Sequence, residues 1–172
     1  MEEYAVVGKS VERTDGRVKV TGKARYAGDL VAPGMLHGKL LRSPLAHAKI
    51  LNIDTSKARA LPGVLAVITG KDFPGIPYGT RPDTRDQLPM PITKVHHFGE
   101  GVAAVAAINE DTAEEALDLI KVDYEELPVV LTAEDALKPD SPPVNEFMKS
   151  NIPYFSDFNF GDVAKDLRRR II

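Results

Sequence analysis

The chain has 172 residues, 43% of them hydrophobic and 27% charged, which is enough to bury the core of one domain. Its net charge of −3 excludes a broad basic face for nucleic acid. The absence of cysteine excludes disulfides, thiolate zinc sites and iron–sulfur ligation by these residues. The opening MEEYAVVGKSVERTDG is acidic and short of apolar residues, unlike a secretory signal, and no apolar run reaches membrane-spanning length, so a cytoplasmic protein is expected.

The first thirty residues are rich in turns. Asp15-Gly16 signals a tight turn, with Val18 and Val20 alternating after it as a short strand that Thr21-Gly22 ends. Gly8, Lys19 and Gly22 fit neither the dinucleotide-binding glycine fingerprint nor a phosphate loop, and read as turn residues. Arg25, Tyr26 and Asp29 suit a structural role. Pro33-Gly34 fits the centre of a type II turn.

Met35 to Leu41 is expected as a strand, with Leu36 and Leu40 among its apolar residues; Arg42-Ser43-Pro44 breaks it. Ala48 to Ile53 is a second strand, with Ile53 on the face of Leu51. Asp54, Thr55 or Ser56 caps a short helix through Leu61, ended by Pro62-Gly63. Val64 to Thr69 is a third strand. Ser43 with His47 offers a nucleophile and a base, but no third member and no nucleophile elbow accompany them.

Pro74 to Pro91 has no usable period and holds five of the 13 prolines. A structureless stretch of this length within a domain usually carries function. His96 and His97 are neighbours on an extended segment, so they face opposite ways and do not share a metal ion.

Val102 to Ile108 is an apolar run of small and β-branched residues, as in a strand buried on both faces. After the polar break Asn109-Glu110-Asp111, Ala113, Ala116, Leu117 and Ile120 form one helical stripe. Thr112 with Glu115, or Asp111 with Glu114, fits a capping box. Ile120, Val122 and Tyr124 then alternate with Lys121, Asp123 and Glu125, so a half-buried strand follows and Pro128 stops it. If the two strands are parallel neighbours, the crossover is right-handed. Val102, Val105, Ala116, Leu117, Ile120 and Val122 are the expected core.

Val129 to Leu131 is expected as a short strand, and Thr132 and Asp135 head a helix through Leu137. Lys138 to Pro143 reads as a linker. The segment beyond it carries Phe147, Tyr154, Phe155, Phe158 and Phe160, and Gly161 to Arg170 fits a helix with Val163 and Leu167 on one side. An aromatic arm of this kind is expected to be poorly ordered or packed on a neighbouring molecule. Glu125 and Glu126 as the acid pair of a hydrolase are ruled against by strand alternation.

Several blocks carry a family resemblance. KVHHFGEGVAAVAA followed by TAEEALDLIKVDYEELP resembles the opening domain of the molybdenum hydroxylase large subunit, the family of xanthine dehydrogenase, aldehyde oxidase, carbon monoxide dehydrogenase and 4-hydroxybenzoyl-CoA reductase. VGKSVERTDGRVKVTGKARYAGDL and LRSPLAHAKILNIDTSKARALPGVLAVITGKDF resemble it too, so the likeness runs from Val7 to Val163. His97 stands where the family pattern has an aromatic residue, and Gly101 where it has proline.

The resemblance implies an α+β fold, the α/β-hammerhead, with mixed sheets of short strands and two or three short helices. It implies a hammerhead domain over residues 1–138. Residues 139–172 would be an extended, aromatic-rich arm leading to a molybdopterin-binding region absent from this chain. The implied function is a structural and substrate-channel domain of a molybdopterin-dependent oxidoreductase, inactive as an isolated chain. No catalytic, cofactor-binding or metal-ligating residue is carried over.

The loop bearing Tyr78, Arg81, Arg85, Leu88 and Met90 is the candidate substrate-channel loop, and it resembles the 4-hydroxybenzoyl-CoA reductase branch most. Molybdopterin and iron–sulfur clusters are expected only in the complete enzyme. The expected partners are the downstream molybdopterin-binding domain or subunit and iron–sulfur and flavin subunits, with no nucleic acid and no membrane. The alternative is a stand-alone binding or assembly module on the same fold, without molybdenum chemistry.

Overall fold

A computed structural model describes residues 4–80, 85–152, 154–158 and 160–162. The chain divides into two compact units, Met1–Met35 and Leu36–Ile172. In the first, the Asp15-Gly16 turn is followed by a short helix, α1 (Gly16–Val20), and not by the expected strand. Val18 and Val20 alternate for too few residues to specify a strand, and both are exposed. The helix is held locally: the Asp15 carboxylate accepts from Arg13 at 2.9 Å and pairs with Lys19 one turn on at 2.5 Å. Asp29 folds back to accept from the Tyr26 amide at 2.9 Å, which gives both residues a structural role. Gly34, at φ 73°, takes the left-handed corner of the Pro33-Gly34 turn, and the Met35 amide closes it onto the Ala32 carbonyl.

The second unit contains two three-stranded sheets. One has the order β1 (His37–Arg42), β5 (Gly101–Ala107), β3 (Val64–Thr69); the other has β4 (Lys94–Val95), β2 (Ala48–Asp54), β6 (Lys121–Glu126). Every described pairing is antiparallel. The short helices α2 (Ser56–Ala60), α3 (Glu110–Asp118) and α4 (Ala133–Ala136) complete an α+β fold.

β5 and β6 flank α3 as the periodicity indicates, but they lie in different sheets. No parallel crossover forms between them. Small-residue β5 takes the centre of the first sheet, and half-polar β6 takes an edge of the second, each according to the burial its pattern demands.

The main core sets Ala58 of α2 and Ala113 and Ala116 of α3 against Val67, Ala103, Val105 and Ala107 of the first sheet, with Ile120 closing it. A second cluster gathers around Ala48, Val95 and Val102. Of the expected core, Val102, Val105, Ala116 and Ile120 are buried, and Leu117 and Val122 are half-buried on its margin.

The cap of α3 is Asn109, not Thr112 or Asp111. Its backbone is extended, and its side chain accepts from the Thr112 amide at 2.8 Å. Asparagine caps as well as aspartate or threonine does, and the helix starts at the first competent residue of the polar break. In β2 the register slips between Ile50 and Asn52, so Leu51 bulges outward while Ile50 and Ile53 face in. Leu51 and Ile53 therefore do not share a buried face. β3 carries a similar slip at Leu65. Val129 to Leu131 forms no strand, because the pairing of β6 with β2 ends at Glu126, one residue after which the Leu127 amide makes a last bond to the His47 carbonyl.

The start of the arm folds back on its own unit. Asn145 donates to the Asp86 carbonyl at 2.9 Å, and Asn151 ties Pro142 and Val144 together. Polar side chains do this docking, so the aromatic content gave no sign of it. Phe155, Phe158 and Phe160 stay exposed. The helix expected over 161–170 lies outside the described residues, apart from Gly161 and Asp162.

Asn109→Ala should lower stability by about 0.5–2 kcal/mol in urea unfolding, and Thr112→Ala by much less, since only Asn109 caps. Gly70→Ala should cost about 1–3 kcal/mol, because a Cβ there falls on the Pro91 carbonyl, backbone that has no room to yield.

Candidate functional site

The proline-rich segment is tied at its waist. Tyr78 and Gln87 exchange both backbone hydrogen bonds, at 2.8 and 3.0 Å, and form an isolated antiparallel bridge. Below the bridge the chain re-enters the body, where Met90 and Pro91 are buried against Gly70. Thr69 and Asp72 hold the outgoing end: the Asp72 carboxylate accepts from the Thr69 amide at 2.7 Å and from its hydroxyl at 3.1 Å.

Opposite the loop stands the turn from His96 to Glu100. Gly99, at φ 82°, makes the corner. The end of β1 clamps it: Gly99 donates to the Ser43 carbonyl, Ser43 donates to the Glu100 carbonyl, and the Arg42 guanidinium reaches the Gly99 carbonyl at 2.8 Å.

The His96 ring lies between two carboxylates. Its Nδ1 is 3.2 Å from Glu100 Oε1, and its Nε2 is 2.6 Å from Glu146 Oε2. Carboxylates only accept, so both ring nitrogens carry protons and the ring is an imidazolium. Burial opposes that charge, but the hydrogen bonds to Glu100 and Glu146 outweigh it and raise the His96 pKa to about 9. Burial likewise opposes the Glu146 charge, yet the bond to His96 prevails and lowers its pKa to about 2. Lys94 adds a second cation 3.6 Å from Glu146. Sequence reading missed this cluster, because Glu146 lies fifty residues from His96 and no spacing rule connects them.

Loop and turn enclose a pocket of about 380 Å³. Tyr78, Gln87, Leu88 and Pro89 line the loop side; His96, His97 and Glu100 line the turn side; Asp86 and Asn145 lie between. Of the five loop residues singled out from the sequence, Tyr78 and Leu88 line this pocket. Arg85 is exposed and is not among its lining, Met90 is buried, and Arg81 lies outside the described residues.

The other candidates are engaged structurally. Ser43 Oγ accepts from the Leu45 amide and donates to the Leu45 carbonyl. His47 donates from Nδ1 to the Pro128 carbonyl at 2.6 Å, and its buried Nε2 has no partner among the described residues. Glu125 pairs with Lys49 at 2.7 Å. Among the described residues no group of three His, Asp or Glu side chains could hold a metal ion, and no helix is long and apolar enough to cross a membrane.

A pH titration tests the ion pair. The His96 pKa is raised, so its contribution to stability is complete below the ordinary histidine range and is lost as pH rises through about 9. The Glu146 pKa is lowered, so its contribution is present above the ordinary carboxylate range and is lost as pH falls through about 2. Nuclear magnetic resonance should show the His96 ring titrating near 9, and Glu146→Gln should bring that midpoint down. A midpoint left in the ordinary histidine range would refute the cluster.

Comparison with known proteins places the chain. Residues 21–128 match the family model described as aldehyde oxidase and xanthine dehydrogenase, a/b hammerhead domain. The chain is 45% identical over 154 residues to a probable xanthine dehydrogenase subunit of Bacillus subtilis, covering 89% of this chain and 20% of that protein. It is 43% identical over 143 residues to a xanthine dehydrogenase molybdenum-binding subunit of Escherichia coli O157:H7, covering 77% of this chain and 19% of that protein. Among solved structures, the aldehyde oxidoreductase of Desulfovibrio gigas superposes with a TM-score of 0.70 at 34% identity, covering 78% of this chain and 16% of that one. The chain thus spans about a fifth of the length of these curated relatives. It belongs to the aldehyde oxidase and xanthine dehydrogenase family and carries that family's α/β-hammerhead domain.

Proposed function

We propose that this chain is the N-terminal structural and substrate-channel domain of a molybdopterin-dependent oxidoreductase, and that the pocket beneath the proline-rich loop forms part of the path to the reacting centre. The observation that carries this reading is the loop itself. Its ends are pinned by the Tyr78–Gln87 bridge and by buried Met90, while Tyr78 and Leu88 face a preformed space of about 380 Å³. Such a space suits a small planar or aliphatic substrate in transit.

The residues present do not fit the cofactors. Molybdopterin bears a phosphate, and the pocket offers it the carboxylates of Asp86 and Glu100, with the His96 cation already taken by Glu100 and Glu146. Without cysteine the chain offers no thiolate to an iron–sulfur cluster. Here the chain's residues shape, support and admit, and no chemical step is routed through them. The molybdopterin site would lie in a downstream domain or subunit reached by the arm from residue 139 onward. Iron–sulfur and flavin subunits would complete a cytoplasmic enzyme.

The test uses the natural full-length protein or complex. It should contain molybdenum and iron, and Tyr78→Ala and Leu88→Ala should raise KM several-fold with molybdenum content and thermal stability unchanged. Unchanged KM in both variants would remove the channel role. A natural protein free of molybdenum would leave a binding or assembly module on this fold.

A further inference from the structure

The first sheet of the larger unit has two unlike faces. One lies under α2 and α3 and includes Val67, Ala103, Val105 and Ala107. On the other, the strand register sets two cross-strand rows: Leu40, Ala104 and Ile68, then Gly38, Ala106 and Ala66. None of these six is polar or charged. Leu40 is 44% exposed and Ile68 38% exposed; Gly38 and Ala66 are exposed as well.

An antiparallel sheet with one face in water normally alternates apolar inward and polar outward. β1 departs from this at Gly38, Lys39 and Leu40, although Leu41 faces the core and Arg42 is exposed. Its lysine, Lys39, points to the helix side, where Glu110 and Glu114 take it at 2.5 and 2.8 Å, while Gly38 and Leu40 point away. The outward face is a trough: Leu40 and Ile68 are its walls, and Ala104 and Ala106 on β5 are its floor.

We propose that this trough is an interface, and that its occupant is an apolar segment of the molybdenum-binding region that completes the relatives, laid along β5. The proposal rests on the family reading above and names the partner of this domain. Four-fifths of such a protein lies outside the stretch matched here, since the chain covers 20% and 19% of two relatives. A sheet covered by helices on one face alone calls for a second layer. The floor supplies no bulk, so the occupant must bring it, as branched aliphatic or aromatic side chains entering between Leu40 and Ile68. It must also be uncharged over the two rows, because none of their six residues can pair a buried charge. A second copy of this face is a poor fit: the walls of Leu40 and Ile68 would meet ridge on ridge and leave both floors empty.

This stretch holds no cysteine of its own, so each introduced thiol is the single reactive site within it. Ala66→Cys and Ile68→Cys are made in the natural full-length protein, treated with N-ethylmaleimide, and read site by site by mass spectrometry. Alkylation slowed on the order of tenfold or more relative to the urea-unfolded protein, at every protein concentration, is the expected result. Equal rates overturn the inference, and protection that disappears on dilution overturns the occupant in favour of a second copy. Molybdenum content of the same samples separates the two readings. A molybdenum-replete protein with an open trough refutes only this inference, whereas a molybdenum-free protein refutes the proposed function on which it rests.

Discussion

The hammerhead unit depends on one close contact, the packing of alanine on alanine between α3 and β5. Ala113 and Ala116 of the helix and Ala103 and Ala107 of the strand are all fully buried, with Ala58 of α2 joining them. With small side chains between them and Val105 the bulkiest on the strand side, the two elements approach closely, and each acts as a wall for the other. Such an interface gains little from any single side chain and is intolerant of enlargement, since an added methylene has nowhere to go. The rest is arranged about it. β1 and β3 flank β5, Lys39 reaches from β1 to two glutamates of α3, and the helix end delivers the chain to β6 in the other sheet.

What the sequence disclosed follows from which signals are local. The small-residue run of β5, the stripe of α3 and the alternation of β6 were legible because each is a period, and periods survive without knowledge of partners. The Pro33-Gly34 turn was legible because proline and glycine fix backbone angles directly. Errors arose where the partner decides. Val18 and Val20 have no strand to pair with and became a helix. Leu51 was thrown outward because one extra residue in β2 had to be absorbed against β6. β5 and β6 went to different sheets because pairing is a long-range choice that no local pattern encodes. At α3 three neighbouring cap formers competed, and only the extended backbone at Asn109 distinguishes the winner.

The candidate site was half legible. Proline density marked the loop, and Tyr78 and Leu88 do face the pocket, while Met90 turned inward as an apolar side chain next to the core will. The ionic tie at its base was hidden. His96 appeared as one of a histidine pair, Glu100 as part of a turn, and Glu146 as one acid in an aromatic arm. Folding brings two anions to one ring and fixes its charge, and this joins the beginning of the arm to the wall of the pocket.

The first sheet ends on two strands, β1 and β3, whose outer edges no strand covers among the described residues. β3 is interrupted by its extra residue Leu65, and the pairing of β1 is shifted at its end, where Val102 of β5 is the extra residue between the partners of Leu41 and Arg42. A regular edge is a template on which a stray chain adds by continuing the ladder, and a slip breaks the even spacing of donors and acceptors such addition needs. The extra residue of β3 therefore acts as a guard on that edge, setting its outward donors and acceptors out of step with the even ladder a fibre of copies would need.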